Sequence, residues 1–343
     1  MNVHLLDVDS SIPNLALMQL SSYHKSIGDT VSIQRAEVPY YPALQKDVEV
    51  VLDGYDLVYA SAIFKNTYDR IKYKQSLFSN AKVIAGGSGI DYKVNLPLEV
   101  MDSELDYSIY PDNDTAYGFI SRGCNRHCGF CDVPKKEGRT RQVEFDLNKI
   151  IGKFKRVKFM DNNFLQLDNH IDILEWLVEK QIPCQFNQGL DFRLITKENS
   201  ALVRQLKYIG EYLFAFDDYR YRRKLQNKLK LLDWIPPWKA KFYVYVSPEM
   251  ELHETVGRIE WLKDRQMLPY VMRDIACWDS KNKDFYTDLA GWGNQPAFLK
   301  KMTFSEFCDK RHINKKRAEY SKKLYQVAHD SIPKTEIFDI AAA

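Results

Sequence analysis

Residues 122–131 read RGCNRHCGFC and set three cysteines, Cys124, Cys128 and Cys131, within eight positions. Disulfides take cysteines in pairs, and a structural zinc site closes on four ligands. Three thiols spaced CxxxCxxC meet neither need by themselves, so their surroundings decide the reading. The chain has 343 residues, enough for one large domain or two ordinary ones. Hydrophobic residues make up 45% of it, which permits a full core and excludes gross disorder. Six cysteines in all, with Cys184, Cys277 and Cys308 scattered, exclude a disulfide-dense secreted pattern. The amino-terminal MNVHLLDVDSS has no basic leader, and no apolar run is long enough to cross a bilayer. The expectation is a cytoplasmic protein with reduced thiols and no membrane partner. A net charge of +3 names no partner.

Downstream of the cysteines the chain keeps a rhythm. Apolar, β-rich segments begin at Val157 (VKFM), Cys184 (CQFN), Tyr212 (YLFAF), Phe242 (FYVYV) and Leu268 (LPYVM), at intervals of 27, 28, 30 and 26 residues. A strand, a helix and two loops occupy about that length. The gaps carry helical stripes: Ile171, Leu174 and Val178 after a cap at Asp168, then Leu202, Leu206 and Ile209 after a cap at Thr196, then Leu252, Val256 and Ile259. With residues 117–120 as a first strand, six βα units are expected, and repeated right-handed units wind into a barrel. The cysteines would then sit at the carboxyl end of the first strand, where barrels build their sites.

The first 95 residues read as an open, Rossmann-like parallel sheet. Strands are expected at residues 3–8, 31–33, 57–60 and 82–85, separated by helical stretches. The first helix has Ser11 as cap, Pro13 in its first turn and Gly28 beyond its end. The last strand runs into Gly86, Gly87, Ser88 and Gly89, either a tight turn or a place where the backbone approaches a ligand. The fold class is therefore α/β: residues 1–95 a Rossmann-like domain, 96–116 an acidic linker, 117–275 a partial (β/α)6 TIM-like barrel, and 276–343 a carboxyl-terminal extension. Trp278, Tyr286, Trp292 and Phe298 in that extension are expected to pack over the open side of the barrel.

CxxxCxxC with Phe130 before the last cysteine, placed after the first strand of a partial barrel, resembles the radical S-adenosylmethionine (SAM) superfamily. The resemblance spans residues 117–274. It implies that Cys124, Cys128 and Cys131 bind three irons of a [4Fe-4S] cluster, the fourth iron chelating SAM through its amino and carboxylate groups. An electron donor such as flavodoxin or ferredoxin reduces the cluster. Reductive cleavage of SAM then gives a 5′-deoxyadenosyl radical that takes hydrogen from a substrate. Many members hold the SAM amino group with a Gly-Gly-Glu stretch after the second strand. This chain has Asp161, Asn162 and Asn163 there, whose oxygens could serve instead. Arg193 suits the ligand carboxylate and Asp217 the ribose. Gln188, Asp191, Asp218, Ser247, Arg273 and Asp274 complete the polar strand ends.

The amino-terminal domain resembles the cobalamin-binding domain fused to many of these enzymes. Its hallmark Asp-x-His-x-x-Gly is absent, and the corresponding loop reads Asp7-Val-Asp-Ser-Ser-Ile-Pro13, so cobalamin is not the favoured cofactor. A cobalamin-dependent methyl- or group-transferase is the alternative within the family. The alternative of another class is a nucleic-acid-binding protein with a structural zinc site, in which His127 or another histidine completes the three cysteines. Residues 219–230 (YRYRRKLQNKLK) and 310–323 (KRHINKKRAEYSKK) are basic with interleaved aromatics. A solvated helix face and a basic tail explain both stretches without nucleic acid.

Overall fold

A computed structural model describes residues 1–39, 46–75, 80–91, 93–312 and 314–333. The chain divides into two compact units, Met1–Gly118 and Phe119–Ala343.

In the first unit, strands β1 (Asn2–Asp7), β2 (Thr30–Arg35), β4 (Leu57–Ser61) and β6 (Lys82–Gly86) form one parallel sheet in the order β2-β1-β4-β6. Alternate side chains serve opposite faces. Val3 and Leu5 of β1 pack with Leu17, Met18 and Leu20 of the helix Leu15–Ser26. Leu6, with Val58 and Ala60 of β4, packs on the other side. Helical stretches were expected between the strands. The second face instead meets a two-stranded parallel ladder, β3 (Val48–Val51) with β5 (Ile71–Lys74), whose Val50 and Ile71 enter the core. The helix starts later than the sequence suggests. Asn14, not Ser11, is its cap: Asn14 Oδ1 accepts the Leu17 N–H at 3.3 Å while its amide donates to Ser10 Oγ and Ser61 Oγ. Pro13 lies outside the helix.

The segment 96–116, expected as a linker, belongs to the first unit. Val100, Ile109 and Tyr110 lie in its core. The Tyr110 hydroxyl donates to Asp7 Oδ2 at 2.9 Å and accepts the Asn14 N–H at 3.2 Å. Aromatic residues spaced for this packing were masked in the sequence by the surrounding acidic and turn residues. The strand expected at 117–120 is β7 (Ala116–Gly118), the end of this unit.

In the second unit, β10 (Val157–Phe159) pairs in parallel with β11 (Cys184–Phe186), and β12 (Tyr212–Ala215), β13 (Ala240–Val246) and β14 (Leu268–Arg273) form a second parallel sheet in that order. The helices His170–Lys180, Lys197–Gln205, Arg222–Leu229 and Leu252–Asp264 fall between successive strands. The βα rhythm is therefore present, but β11 and β12 share no ladder: Leu190 N–H reaches Leu213 O at 2.8 Å across the gap. Thr196 caps its helix in a reciprocal box with Asn199. Asp168 does not cap; Asn169 holds the cap position of the helix His170–Lys180, with no side-chain bond to its first turn. Along β13, Ala240, Phe242, Val244 and Val246 are buried, while Lys241, Tyr243 and Tyr245 between them are half-buried.

The extension adds the helices Lys283–Gly293, Pro296–Lys301, Phe304–Arg311 and Lys315–Asp330. Residues 334–343 lie outside the described residues. Phe285, Tyr286 and Trp292 are buried. At the edge of the sheet, Asn294 pairs with both backbone groups of Val271: its Oδ1 accepts the N–H at 2.5 Å and its Nδ2 donates to the carbonyl at 3.2 Å. In the basic stretch 219–230, Tyr219 and Leu225 are buried. In 310–323, Arg317 reaches Asp288, which also accepts from Ser321 and contacts His312. No helix among the described residues is long and apolar enough to cross a membrane.

Candidate active site

A short antiparallel pair closes the cysteine loop. β8 (Ser121–Arg122) lies against β9 (Arg141–Gln142), so the chain leaves and returns at one point. Inside it, Arg122 grips Glu137 through Nε (3.0 Å) and Nη2 (2.8 Å). The same carboxylate accepts the Gly123 N–H at 3.0 Å and the Asn162 amide at 2.7 Å. Cys124 N–H donates to Gly138 O at 3.1 Å. Gly123 has a left-handed φ of 84°, and a Cβ there would stand 2.3 Å from Arg139 O. Only glycine permits that approach.

The cysteines are free and half-buried. Burial raises the Cys128 and Cys131 thiols above the ordinary value; Arg193 opposes this at Cys128, and the Val133 N–H opposes it at Cys131. Two N–H donors reach Cys124 Sγ: Arg126 N at 3.4 Å and Asn163 Nδ2 at 3.8 Å. Among the described residues no three His, Cys, Asp or Glu side chains converge as a single metal ion would require. Thiolates around a [4Fe-4S] cluster each bind a different iron and need not converge on one point. Half-buried free thiols on one closed loop, with N–H donors toward sulfur, suit a cluster of that kind.

A cavity of about 710 Å³ opens beside this loop, within the ~300–1,000 Å³ range of small-molecule sites. Cys128, Phe130, Arg126, Arg193, Asp217 and Tyr221 are among its lining residues. Phe130 stacks on Tyr245 with ring centroids 4.0 Å apart and planes 15° from parallel. The Tyr245 hydroxyl donates to Asp274 Oδ2 at 2.6 Å, and its backbone N–H donates to Asp217 Oδ1 at 3.0 Å. One residue thus links the cysteine loop to the ends of three strands. Burial raises the Asp217 carboxyl against this N–H and the charges of Arg258 and Arg193. Arg258 is fully buried behind the wall, donating to Phe216 O at 3.0 Å, and burial lowers its guanidinium to about 10.

The residues after β10 separate into three roles. Asp161 turns inward: it accepts Ile120 N–H (3.2 Å), Ser121 N–H (2.5 Å) and Ser121 Oγ (2.5 Å), and burial raises its carboxyl to about 6. Asn162 serves Glu137. Asn163 alone stays with the cysteines, donating also to Asp191 Oδ2 at 3.2 Å, and its Oδ1 is buried with no hydrogen-bond partner. Arg193 lines the cavity, but Asp191 occupies its Nε (2.6 Å) and Nη2 (3.0 Å). Burial works against the Asp191 charge, yet these bonds and the charges of Arg193 and Arg126 outweigh it and hold the carboxyl below the ordinary value. Asp218 lines the cavity and grips Arg220. Gln188 is exposed, Ser247 accepts the Glu249 N–H, and Arg273 lies over Trp278 with its Nη1 on Thr287. Sequence reasoning did not single out Arg126, Glu137 or Tyr245. Arg126 and Glu137 flank the cysteines closely enough to have been candidates; nothing in the sequence marks Tyr245.

No family model and no curated protein matches the chain. Solved structures that resemble it include two of one enzyme. One is a radical S-adenosylmethionine methyltransferase, TsrM, from Kitasatospora setae with tryptophan substrate and a SAM analogue bound: 10% identity, TM-score 0.53, covering 79% of this chain and 73% of that one. The other is the same enzyme with cobalamin and a [4Fe-4S] cluster bound: 10% identity, TM-score 0.51, covering 80% and 75%. The likeness shows a shared mixed α/β fold with parallel sheets.

Proposed function

We propose that the chain is a radical SAM enzyme in which Cys124, Cys128 and Cys131 hold a [4Fe-4S] cluster beside a SAM-binding cavity. The observation that carries this reading is the closed three-cysteine loop forming one wall of a ligand-sized cavity, on a fold shared with enzymes of that chemistry. When bound, the cluster supplies the electron for reductive cleavage of SAM. The chain's own residues do the rest. Phe130, held flat by Tyr245, offers an apolar wall for the nucleoside. Asp217 has one oxygen committed to Tyr245 N–H and the other to offer a ribose hydroxyl. Asp191 sets the direction of Arg193 and Arg126.

Anaerobically reconstituted protein is expected to carry about four irons per chain. With dithionite and SAM it should release 5′-deoxyadenosine. Changing any one of the three cysteines to Ala should abolish the release, because a methyl group cannot replace a thiolate ligand. Stoichiometric zinc without iron, or release that persists in all three variants, would overturn the reading.

A second reading, methyl or group transfer with cobalamin in the first unit, is favoured by the likeness to TsrM, one structure of which holds cobalamin. The first unit itself speaks against it. Gly87 has φ of 100°, and a Cβ there would lie 2.3 Å from Ala62 O; at Gly89 the same distance is to Phe64 O. The turn's glycines are thus required by the chain's own backbone. Asp9, in the loop without a histidine, is spent on the Ile63 and Phe64 N–H groups and the Thr67 hydroxyl.

A further inference from the structure

The function proposed above leaves one basic stretch unused, residues 219–230, YRYRRKLQNKLK. A solvated helix face accounts for its sequence but not for its place in the structure. The stretch opens at the cavity, which Arg220 and Tyr221 line together with Arg193 and residues of the cysteine loop. It continues as the helix Arg222–Leu229, whose Leu225 is fully buried. Arg223, Lys224, Asn227 and Lys230 are exposed. At the rise of an α-helix they span about 10 Å, a track that starts beside the cavity.

Three of these four residues are unpaired cations. The side chains of Arg223, Lys224 and Lys230 make no hydrogen bond or ion pair with the described residues. Their neighbours are all engaged: Arg220 grips Asp218, Arg222 lies over the Tyr219 ring at 4.9 Å, and Lys228 donates to Ile195 O. No acidic residue occurs between Asp218 and Asp233. The helices His170–Lys180, Lys197–Gln205 and Leu252–Asp264 each carry both signs of charge. Here the cations also fill the first turn, where a helix dipole favours acids, so they work against the helix they stand on. A face that only meets water gains nothing from that arrangement; a face that binds a polyanion does.

We propose that this helix docks a single-stranded nucleic acid beside the mouth of the cavity: Arg223, Lys224 and Lys230 bind its phosphates, and the Tyr221 ring, which lines the cavity, offers a stacking surface to a base. The inference rests on the functional reading above and names its substrate class, a nucleotide within a strand. A track of about 10 Å suits a short run of one strand. The exposed side offers no apolar residue to insert into a bilayer, which sets a membrane surface second.

The test is binding of a twelve-nucleotide, mixed-sequence RNA carrying fluorescein to the iron-loaded protein, read by anisotropy over a range of salt. Three phosphate contacts to a single strand contribute about −2 to the slope of log affinity against log salt. Changing Arg223→Gln, Lys224→Gln and Lys230→Gln together should remove that contribution, which is about a hundredfold in affinity at about 0.1 M salt. Changing Lys315→Gln, Lys316→Gln and Lys323→Gln together takes as many charges from the extension and should leave the slope as it is. A strand containing 4-thiouridine should attach on irradiation to residues 219–230 or to the loop 125–130. Equal losses in the two triple variants, attachment confined to the extension, or a wild type that binds no RNA would overturn the proposal. So would displacement of the RNA by vesicles of phosphatidylcholine and phosphatidylserine as readily as by unlabelled RNA, which would make the partner a membrane. If the first triple variant fails to fold, the attachment sites and the displacement, both measured on the wild type, still decide. Iron content and 5′-deoxyadenosine release of the same wild-type sample report the functional reading separately, so either can fail while the other stands.

Discussion

Gly123 and Gly129 lie six residues apart in one loop and respond oppositely to a methyl group. At Gly123 it meets Arg139 O and a left-handed backbone; at Gly129 nothing lies within 4 Å. Gly123→Ala should therefore lose most of its iron and fold less stably by about 1–3 kcal/mol, while Gly129→Ala should load iron as the wild type does. Iron content and thermal midpoint measured side by side check this; equal loading in both variants would remove the argument. Asp161 makes a pH prediction. The unfolded chain releases this proton near the ordinary carboxyl value of 3.8, the folded chain only near 6. The proton therefore favours folding below about pH 4, and that contribution is lost as pH rises to 6. Asp161→Asn cannot titrate, so the stability advantage of the wild type over the variant should shrink between pH 4 and 6 and then stay level. A difference in thermal midpoint that is constant over that range would contradict it. At this scale the sequence was hard to read: Asp161, Asn162 and Asn163 are consecutive and polar, yet one clamps the backbone, one serves Glu137 and one reaches Cys124. Which arginine pairs with which aspartate likewise depends on distances that spacing does not contain.

Strand β14 ends its sheet, and an unpaired edge invites another chain. Asn294 answers the N–H and carbonyl of Val271 as a neighbouring strand would. Asn294→Ala leaves both without a partner and should cost about 1–3 kcal/mol, with concentration-dependent association measurable by light scattering. Asn294→Asp keeps the acceptor and loses the donor, so it should fall between. A variant as stable and as monodisperse as the wild type would show that water serves the edge equally well. The strands were the most legible elements: buried parallel strands are near-continuous apolar runs, as VKF, CQF and YLFA show. The β8–β9 clamp has two residues on each side and no apolar pattern, so no periodicity could reveal it. The β3–β5 ladder, VEVV against IKYK, was short enough to pass for loop where a helix was expected. Thr196 was readable as a cap because its partner Asn199 lies at the capping-box position; Asn14 was hidden behind Ser11 and Pro13.

For the whole chain, the cobalamin question separates two enzymes on one fold. Because Gly87 and Gly89 are packed against the chain's own carbonyls and Asp9 is spent on backbone donors, the first unit should bind cobalamin weakly or not at all. Titration with hydroxocobalamin followed by gel filtration decides: co-elution near one cobalamin per chain, lost when Gly87 is made bulky, would turn the assignment toward a cobalamin-dependent transferase. The closed cysteine loop carries one more consequence. The bonds that shut it, Arg122 to Glu137, Cys124 N–H to Gly138 O and the β8–β9 pair, engage no sulfur atom. Oxygen that strips the iron would leave those bonds in place. The damaged protein should be repairable by iron, sulfide and a thiol reductant alone, without passing through an unfolded state, and so should survive repeated cycles of exposure and rescue.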